Sequence, residues 1–401
     1  MSRTYDFIVV GAGIVGLTVA QEIRKRHPSG SIAILEKETD IGFHASGRNS
    51  GVMHSGVYYG STTLKAKMCA LGASRMRQFA KEHQIDCKKV GKVIIATAAK
   101  ELPTLEQLLE NAKTNNVRAE RLDVQAVKEI EPHASAYEAG IYCPDTAVID
   151  SKAVIEKLRE LLEDAAVDFV YGAQINSVAF KHRTVTTSQG EFIYGFLYNC
   201  AGAGADIVAK MFGHAGDYTL VPFKGIYYKL KDSRRHLVNG NIYPVPDIEL
   251  PFLGVHLTKV ISGEVYIGPT AIPAFGRENY GIFEGIKLSE GFTIARQLLS
   301  MYRGNRENFR RLVHEEMKKY YKPFFVAAAK KLVRSIAEDD LESSNKVGIR
   351  PQLINVKTRE LEMDYIIEKD KYSLHVLNSI SPAFTSSLAF SEWIVDQTEG
   401  I

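Results

Sequence analysis

The first forty residues constrain this chain more than any other stretch. An apolar run from Tyr5 to Val10 leads into Gly11-Ala12-Gly13-Ile14-Val15-Gly16, and a helical pattern continues to about residue 26. A second apolar run from Ser31 ends on Glu36, 20 residues beyond Gly16. This is a βαβ unit with a GxGxxG turn at its first strand-to-helix junction. The glycines make the tight turn, let backbone approach a pyrophosphate and allow close helix packing, while the helix start at Ile14 and Val15 attracts phosphate. Glu36, with Lys37 beside it, stands where a carboxylate accepts hydrogen bonds from a ribose; a 2′-phosphate there would be repelled. A bare GxGxxG arises by chance, but strand, turn, helix, strand and terminal acid together point to a dinucleotide.

Further on, helical patterns lie near 62–84, 100–115, 123–131 and 151–165, with strand patterns near 92–97, 167–180 and 191–200. From about 217 to 272 the texture changes to strands rich in Tyr, Val and Ile broken by Pro and Gly, then to charged helices from about 284 to 340. The last 55 residues return to apolar strands at 365–367 and 374–377 and a helix from about Pro382 to Gln397. A mixed antiparallel middle between two α/β ends is the pattern of one domain inserted into another.

Composition narrows the partners. The chain has 401 residues, 45% of them hydrophobic and 24% charged, which is ordinary for a globular protein of two to three domains. With 50 basic against 47 acidic residues there is no general electrostatic case for nucleic acid or an anionic membrane, and a small molecule fits better. Cys69, Cys87, Cys143 and Cys200 are too scattered for a CxxC metal or redox motif and too few for a disulfide scaffold, so no metal site is expected. No stretch approaches the ~20 apolar residues of a membrane span, and the first strand starts too early for a signal peptide. The expectation is a cytoplasmic protein. Peripheral contact with an inner membrane stays open through the charged helices around Lys318-Lys319 and Lys330-Lys331.

Between His44 and Gly56 the chain is small, polar and broken by glycine, suited to bringing backbone amides to a second set of phosphates and a flavin edge, although surface loops use the same residues. Glu36 followed by Ser46-Gly47-Arg48-Asn49-Ser50-Gly51, with Gly348-Ile349-Arg350-Pro351 and a closing Ser381-Pro382 helix, resembles the flavin-dependent D-amino-acid oxidase and glycerol-3-phosphate dehydrogenase superfamily. Within it the chain is most similar to the L-2-hydroxyglutarate oxidase or dehydrogenase group. The motifs that carry this are Asn49 to Tyr59, Val221-Pro222-Phe223-Lys224-Gly225, Tyr243 to Asp247, Pro251 to Thr258, Gly268-Pro269 and Arg277-Glu278.

The resemblance implies an α/β fold: a Rossmann-like FAD-binding domain with an inserted mixed-sheet α+β substrate domain. The FAD domain would take residues 1–86, 147–216 and 345–401, and the substrate domain 87–146 and 217–344. Hydride would pass from C2 of L-2-hydroxyglutarate to flavin N5, leaving 2-oxoglutarate, with oxygen or a quinone as electron acceptor. The alternatives are another 2-hydroxy acid, an amino acid or glycerol 3-phosphate. The FAD contacts implied are Gly11, Gly13, Ile14, Val15, Gly16, Glu36, Lys37, Ser46, Arg48, Asn49, Ser50, Gly51, Ile175, Gly202, Gly348 and the segment Pro382, Ala383, Phe384, Thr385, Ser386. Arg48 stands where the group usually has His, Lys224 where it usually has Arg, and residues 378–384 replace a segment richer in Ala and Pro. These departures bear on the exact substrate.

Oxidising a C–H bond beside a hydroxyl needs a hydride acceptor, a base for the hydroxyl proton and a cation for the carboxylate. His54 and His256 are the alternative bases, since histidine titrates near neutrality. Period-two alternation puts Leu253, Val255 and Leu257 on one face and Gly254, His256 and Thr258 on the other, so His256 points away from the apolar side. Arg350 offers a planar fork for one carboxylate, and Lys224 or Arg277 would anchor the second. Tyr58 and Tyr243 could donate hydrogen bonds, although with 19 tyrosines present any single one is more often packing. The cap-type helix start at 381–387 could hold the anionic flavin pyrimidine formed on reduction.

Overall fold

The computed structural model describes residues 2–398. Its backbone forms two compact units, one made of the chain up to Arg48, Ser151–Leu220 and the chain from Pro351, the other of Asn49–Asp150 and Val221–Arg350.

In the first unit an eight-stranded sheet has Arg3–Val10 at its centre, parallel to Gly190–Asn199 on one side and Ile32–Leu35 on the other. Asp168–Val170 and Ser373–Asn378 extend the parallel core, and Ile175–Ala179 and Thr184–Thr187 add an antiparallel edge. All four residues of Ile32–Leu35 are buried, as expected for a parallel strand covered on both faces. Helix Ile14–Arg26 follows the glycine turn, buries Ile14 through Ala20 and Ile23, and carries Arg24, Lys25 and Arg26 in its last turn, where cations meet the negative end of the helix dipole. The single strand read at 167–180 is two strands, because the chain turns at Gly172 with a left-handed φ of +64°.

In the second unit the strands of a nine-stranded sheet run in the order Ile272–Pro273, Tyr218–Leu230, Val265–Gly268, His256–Lys259, Asn241–Pro244, Lys92–Ile95, Ala139–Cys143 and Glu120–Asp123, with Leu341–Asn355 beside Tyr218–Leu230. Asn241–Pro244 and Lys92–Ile95 are parallel, while their outer neighbours pair antiparallel. This sheet is covered on both faces. Val93, Ile242 and Leu257 pack with Phe325 and Val333, whereas Ile94, Ile141 and Tyr243 pack with Leu105 and Leu108 of helix Leu102–Thr114. Strand alternation then decides which side chains share the second face: Lys92 with Ile94, Cys143 with Ile141, and His256 opposite to Leu257.

The first domain boundary differs most from expectation, falling at 48/49 rather than 86/87. The reason is a small sheet in which Val52–Met53 and Cys87–Lys89 both pair with Ala147–Ile149, so the intervening helix Leu64–Glu82 goes with the second unit. The later boundaries, expected at 146/147, 216/217 and 344/345, fall at 150/151, 220/221 and 350/351. Among the described residues no helix is long and apolar enough to cross a membrane.

Candidate functional site

In the first unit the glycine turn is built by exclusion. Gly11 has φ +100°, and a Cβ there would stand 2.7 Å from the Cys200 carbonyl oxygen; a Cβ on Gly16 would stand 1.9 Å from the Gly11 oxygen. Neither position tolerates a side chain, so the backbone can lie bare at the start of helix Ile14–Arg26. Glu36 is nearly buried at the end of its strand, and each of its oxygens accepts one amide: Ala12 N donates to Oε2 at 2.7 Å and Glu38 N to Oε1 at 2.9 Å. These bonds fix the carboxylate beside the turn and leave each oxygen a lone pair for a ribose hydroxyl. Ser46 Oγ accepts from Ile14 N at 2.9 Å, Arg48 donates to the Phe43 carbonyl at 2.9 Å, and Lys37 pairs with Glu38 at 2.5 Å.

Gly202 follows strand Gly190–Asn199, which runs parallel to the strand feeding the glycine turn, and so lies at the same carboxyl end of the sheet where α/β folds bind ligands. Ile175 starts the antiparallel edge and packs into the core below. The closing helix spans Ala383–Asp396 with Pro382 as its N-cap residue. Ser386 Oγ donates to the Pro382 carbonyl at 3.0 Å and meets the Tyr365 hydroxyl at 2.8 Å, which holds the first turn in place; Phe384 and Thr385 lie in that turn. The donor set, bare turn and ribose acid fit FAD. Of the other expected flavin residues, Asn49, Ser50, Gly51 and Gly348 belong to the second unit, where Asn49 Oδ1 accepts from Gly51 N at 2.8 Å and Gly51 takes φ +70°.

The second unit gathers His54, Tyr58, Tyr243, His256 and Arg350, which sequence spacing could not relate to one another. His256 is buried; its ring lies over that of Tyr243, centroids 3.9 Å apart, and its Nδ1 stands 2.9 Å from the Gly254 carbonyl oxygen. A carbonyl only accepts, so Nδ1 carries the proton and the lone pair is on Nε2. Burial pushes the His256 pKa down to about 4, against the Gly254 bond and with the help of Arg350 and Lys92. His54 is pushed down to about 3, chiefly by burial and then by Lys92, His256 and Arg350. Both imidazoles are therefore neutral at pH 7. The alternation expected around His256 holds from Val255 onward, but Leu253 packs with the Tyr243 side because the strand begins only at His256.

Arg350 has its guanidinium 4.8 Å above the Phe252 ring, and among the described residues no carboxylate lies at ion-pair distance from it. Burial lowers its pKa, offset by Tyr227, Glu316 and Tyr59; Glu316 itself pairs with Lys319 and accepts from Ala271 N. Of the two expected second anchors, Lys224 is buried and donates to the Gly281 carbonyl at 2.5 Å, and Arg277 pairs with Glu290 at 3.0 Å. The same unit holds a further buried cation that sequence reasoning missed. Lys92 is 1% exposed, with its ammonium 4.6 Å from the Tyr58 ring centroid and 5.4 Å from that of Tyr243. A lysine opening an apolar strand looks like a solvated strand end; only its placement on the same face as Ile94 could have flagged it.

The model of the FAD dependent oxidoreductase family matches residues 6–397. The chain is 36% identical to the L-2-hydroxyglutarate dehydrogenase of Indibacter alkaliphilus over 97% of its own length and 98% of that protein's, and 33% identical to the mitochondrial L-2-hydroxyglutarate dehydrogenase of Homo sapiens over 99% and 89%. Among solved structures, the L-alpha-glycerophosphate oxidase of Mycoplasma pneumoniae with FAD bound superposes with a TM-score of 0.79 at 20% identity, covering 100% of this chain and 96% of that one. That likeness is one of fold: a Rossmann-like FAD-binding domain with a mixed-sheet substrate domain.

Proposed function

Since this chain belongs to the FAD-dependent oxidoreductase family and takes FAD as its cofactor, we propose that it oxidises L-2-hydroxyglutarate to 2-oxoglutarate. The observation that carries the proposal is charge. The second unit buries Lys92 and half-buries Arg350 near two neutral imidazoles, and no carboxylate pairs with either cation among the described residues. Buried positive charge without a counter-ion is costly, and a dianionic acid supplies the missing charge. A zwitterionic amino acid would bring an ammonium to the same cations. The curated relatives' names agree with this reading.

FAD, when bound, supplies the hydride acceptor. Arg350 takes the carboxylate next to the reacting carbon in its two-pronged grip and so aligns the C2–H bond. His256 Nε2, neutral and carrying the lone pair, accepts the hydroxyl proton as the C2 hydride departs with its electron pair and the C–O bond becomes a carbonyl. The Gly254 carbonyl then stabilises the imidazolium through Nδ1–H. His54 is the second candidate for the base.

Anaerobic mixing of the yellow holoenzyme with a panel of acids tests the reading. L-2-hydroxyglutarate should bleach the flavin faster than D-2-hydroxyglutarate, L-glutamate or glycerol 3-phosphate. Faster bleaching by glutamate would move the assignment to C–N chemistry, and faster bleaching by glycerol 3-phosphate to a phosphate dianion.

A further inference from the structure

Lys92 and Tyr58 present two polar groups that the fold leaves unsatisfied side by side. Lys92 Nζ is buried with no hydrogen-bond partner, and so is the Tyr58 hydroxyl, although the ammonium sits only 4.6 Å from the Tyr58 ring centroid. Buried donors are almost always paired, so two orphans at one place ask for an acceptor that the ligand-free chain does not provide. The charged and titratable groups that act on Lys92 are the thiols of Cys143 and Cys69, and Lys92 in turn acts on His54 and His256; no carboxylate is among them. The Tyr58 and Tyr243 rings offer the ammonium their negative faces, which offsets only part of its lost hydration.

We propose that Lys92 and Tyr58 form a subsite for the second anionic group of the substrate, its distal carboxylate. This assignment rests on the dicarboxylate reading above. A carboxylate brings negative charge and two acceptor oxygens, which satisfies an ammonium and a phenol together. Its place fits: Lys92, Tyr243 and His256 project from one face of the same sheet, and the Tyr243 ring contacts both the ammonium and the His256 imidazole. The reacting end of the acid would lie with His256 and Arg350, and its tail with Lys92. Burial lowers the Lys92 pKa and raises that of Tyr58, as expected of donors that meet their counter-charge only when a ligand arrives.

The test compares L-2-hydroxyglutarate with L-2-hydroxyvalerate, a monoacid of the same chain length, as reductants of the holoenzyme flavin. The parental enzyme should favour the diacid. Lys92→Met should lower kcat/KM for the diacid by about 30- to 1,000-fold, the range expected when one member of a buried charge pair is lost, and leave the monoacid within about threefold. Without ligand, Lys92→Met should melt no lower than the parent, since it removes an unpaired buried charge, and the Tm rise caused by glutarate should vanish. Tyr58→Phe keeps the ring beneath the ammonium and should narrow the diacid preference in the same direction, which keeps the proposal testable if Lys92→Met fails to retain FAD. Equal losses on both acids, or a diacid preference that survives both substitutions, would overturn the subsite while leaving the substrate reading intact. A parental enzyme that ignores the diacid would overturn both.

Discussion

With Nδ1 committed to the Gly254 carbonyl at 2.9 Å, His256 can act only through Nε2, and its burial keeps that nitrogen unprotonated over most of the pH range. The sign of the resulting pH dependence is definite: the base works when neutral, so flavin reduction fails below its pKa. The acid limb of kcat/KM for reduction should therefore fall near pH 4, not near the ~6.5 of a solvated histidine. His256→Ala should slow reduction by about 10²- to 10⁴-fold and abolish that limb, whereas the same result from His54→Ala would move the base there. For Arg350, the absence of an ion-pair partner among the described residues removes the simplest structural role. Arg350→Lys keeps the charge and loses the fork, and should cut kcat/KM by about 30-fold or more with FAD content unchanged. Loss of flavin and fold together would make Arg350 structural.

The strand, glycine turn and helix at the amino end act as one element, and its glycines differ in what they protect. A Cβ on Gly16 would enter the Gly11 carbonyl at 1.9 Å, so Gly16→Ala should disturb the packing of turn on helix and lower the melting temperature. A Cβ on Gly13 meets only Ser46 Oγ, at 3.1 Å. Gly13→Val should thus preserve the secondary structure seen by circular dichroism and still purify colourless, because the added methyls occupy the pyrophosphate approach. Normal flavin in that variant would count against the turn as the cofactor's anchor. This element was legible because its signals are local: strand, turn and helix lie within 26 residues and follow from steric rules. The strand of 341–355 was not, since its alternating exposed and half-buried residues carry no periodic apolar signal.

Across the whole molecule, three histidines are held neutral, half-buried His54 and buried His256 in the second unit and buried His375 in the first, the last pushed down to about 3 mainly by desolvation. Their folded pKa values lie below the unfolded ~6.5, so the unfolded chain binds more protons and stability is lost as pH falls through that value toward about 4. Each contributes up to about 1.4 kcal/mol per pH unit in that window. Melts of the holoenzyme at pH 7 and pH 5 should show a lower Tm at pH 5; an unchanged Tm would mean that these histidines protonate in the folded state. The sequence by itself determined the βαβ start, the helices from 64 to 164 and the closing helix, because periodicity and glycine spacing are properties of neighbouring residues. It also singled out His54 and His256 as bases by their chemistry, and Arg350 as a carboxylate fork by chemistry and resemblance together. Only the tertiary structure decided that Lys224 donates to the Gly281 carbonyl and Arg277 pairs with Glu290, that the loop from Asn49 to Tyr59 belongs with the second unit, and that Lys92 stands beside Tyr58 and Tyr243. Lys92 and Tyr243 are 151 positions apart, and what brings them together is the pairing of their strands, whose register no short stretch of sequence encodes.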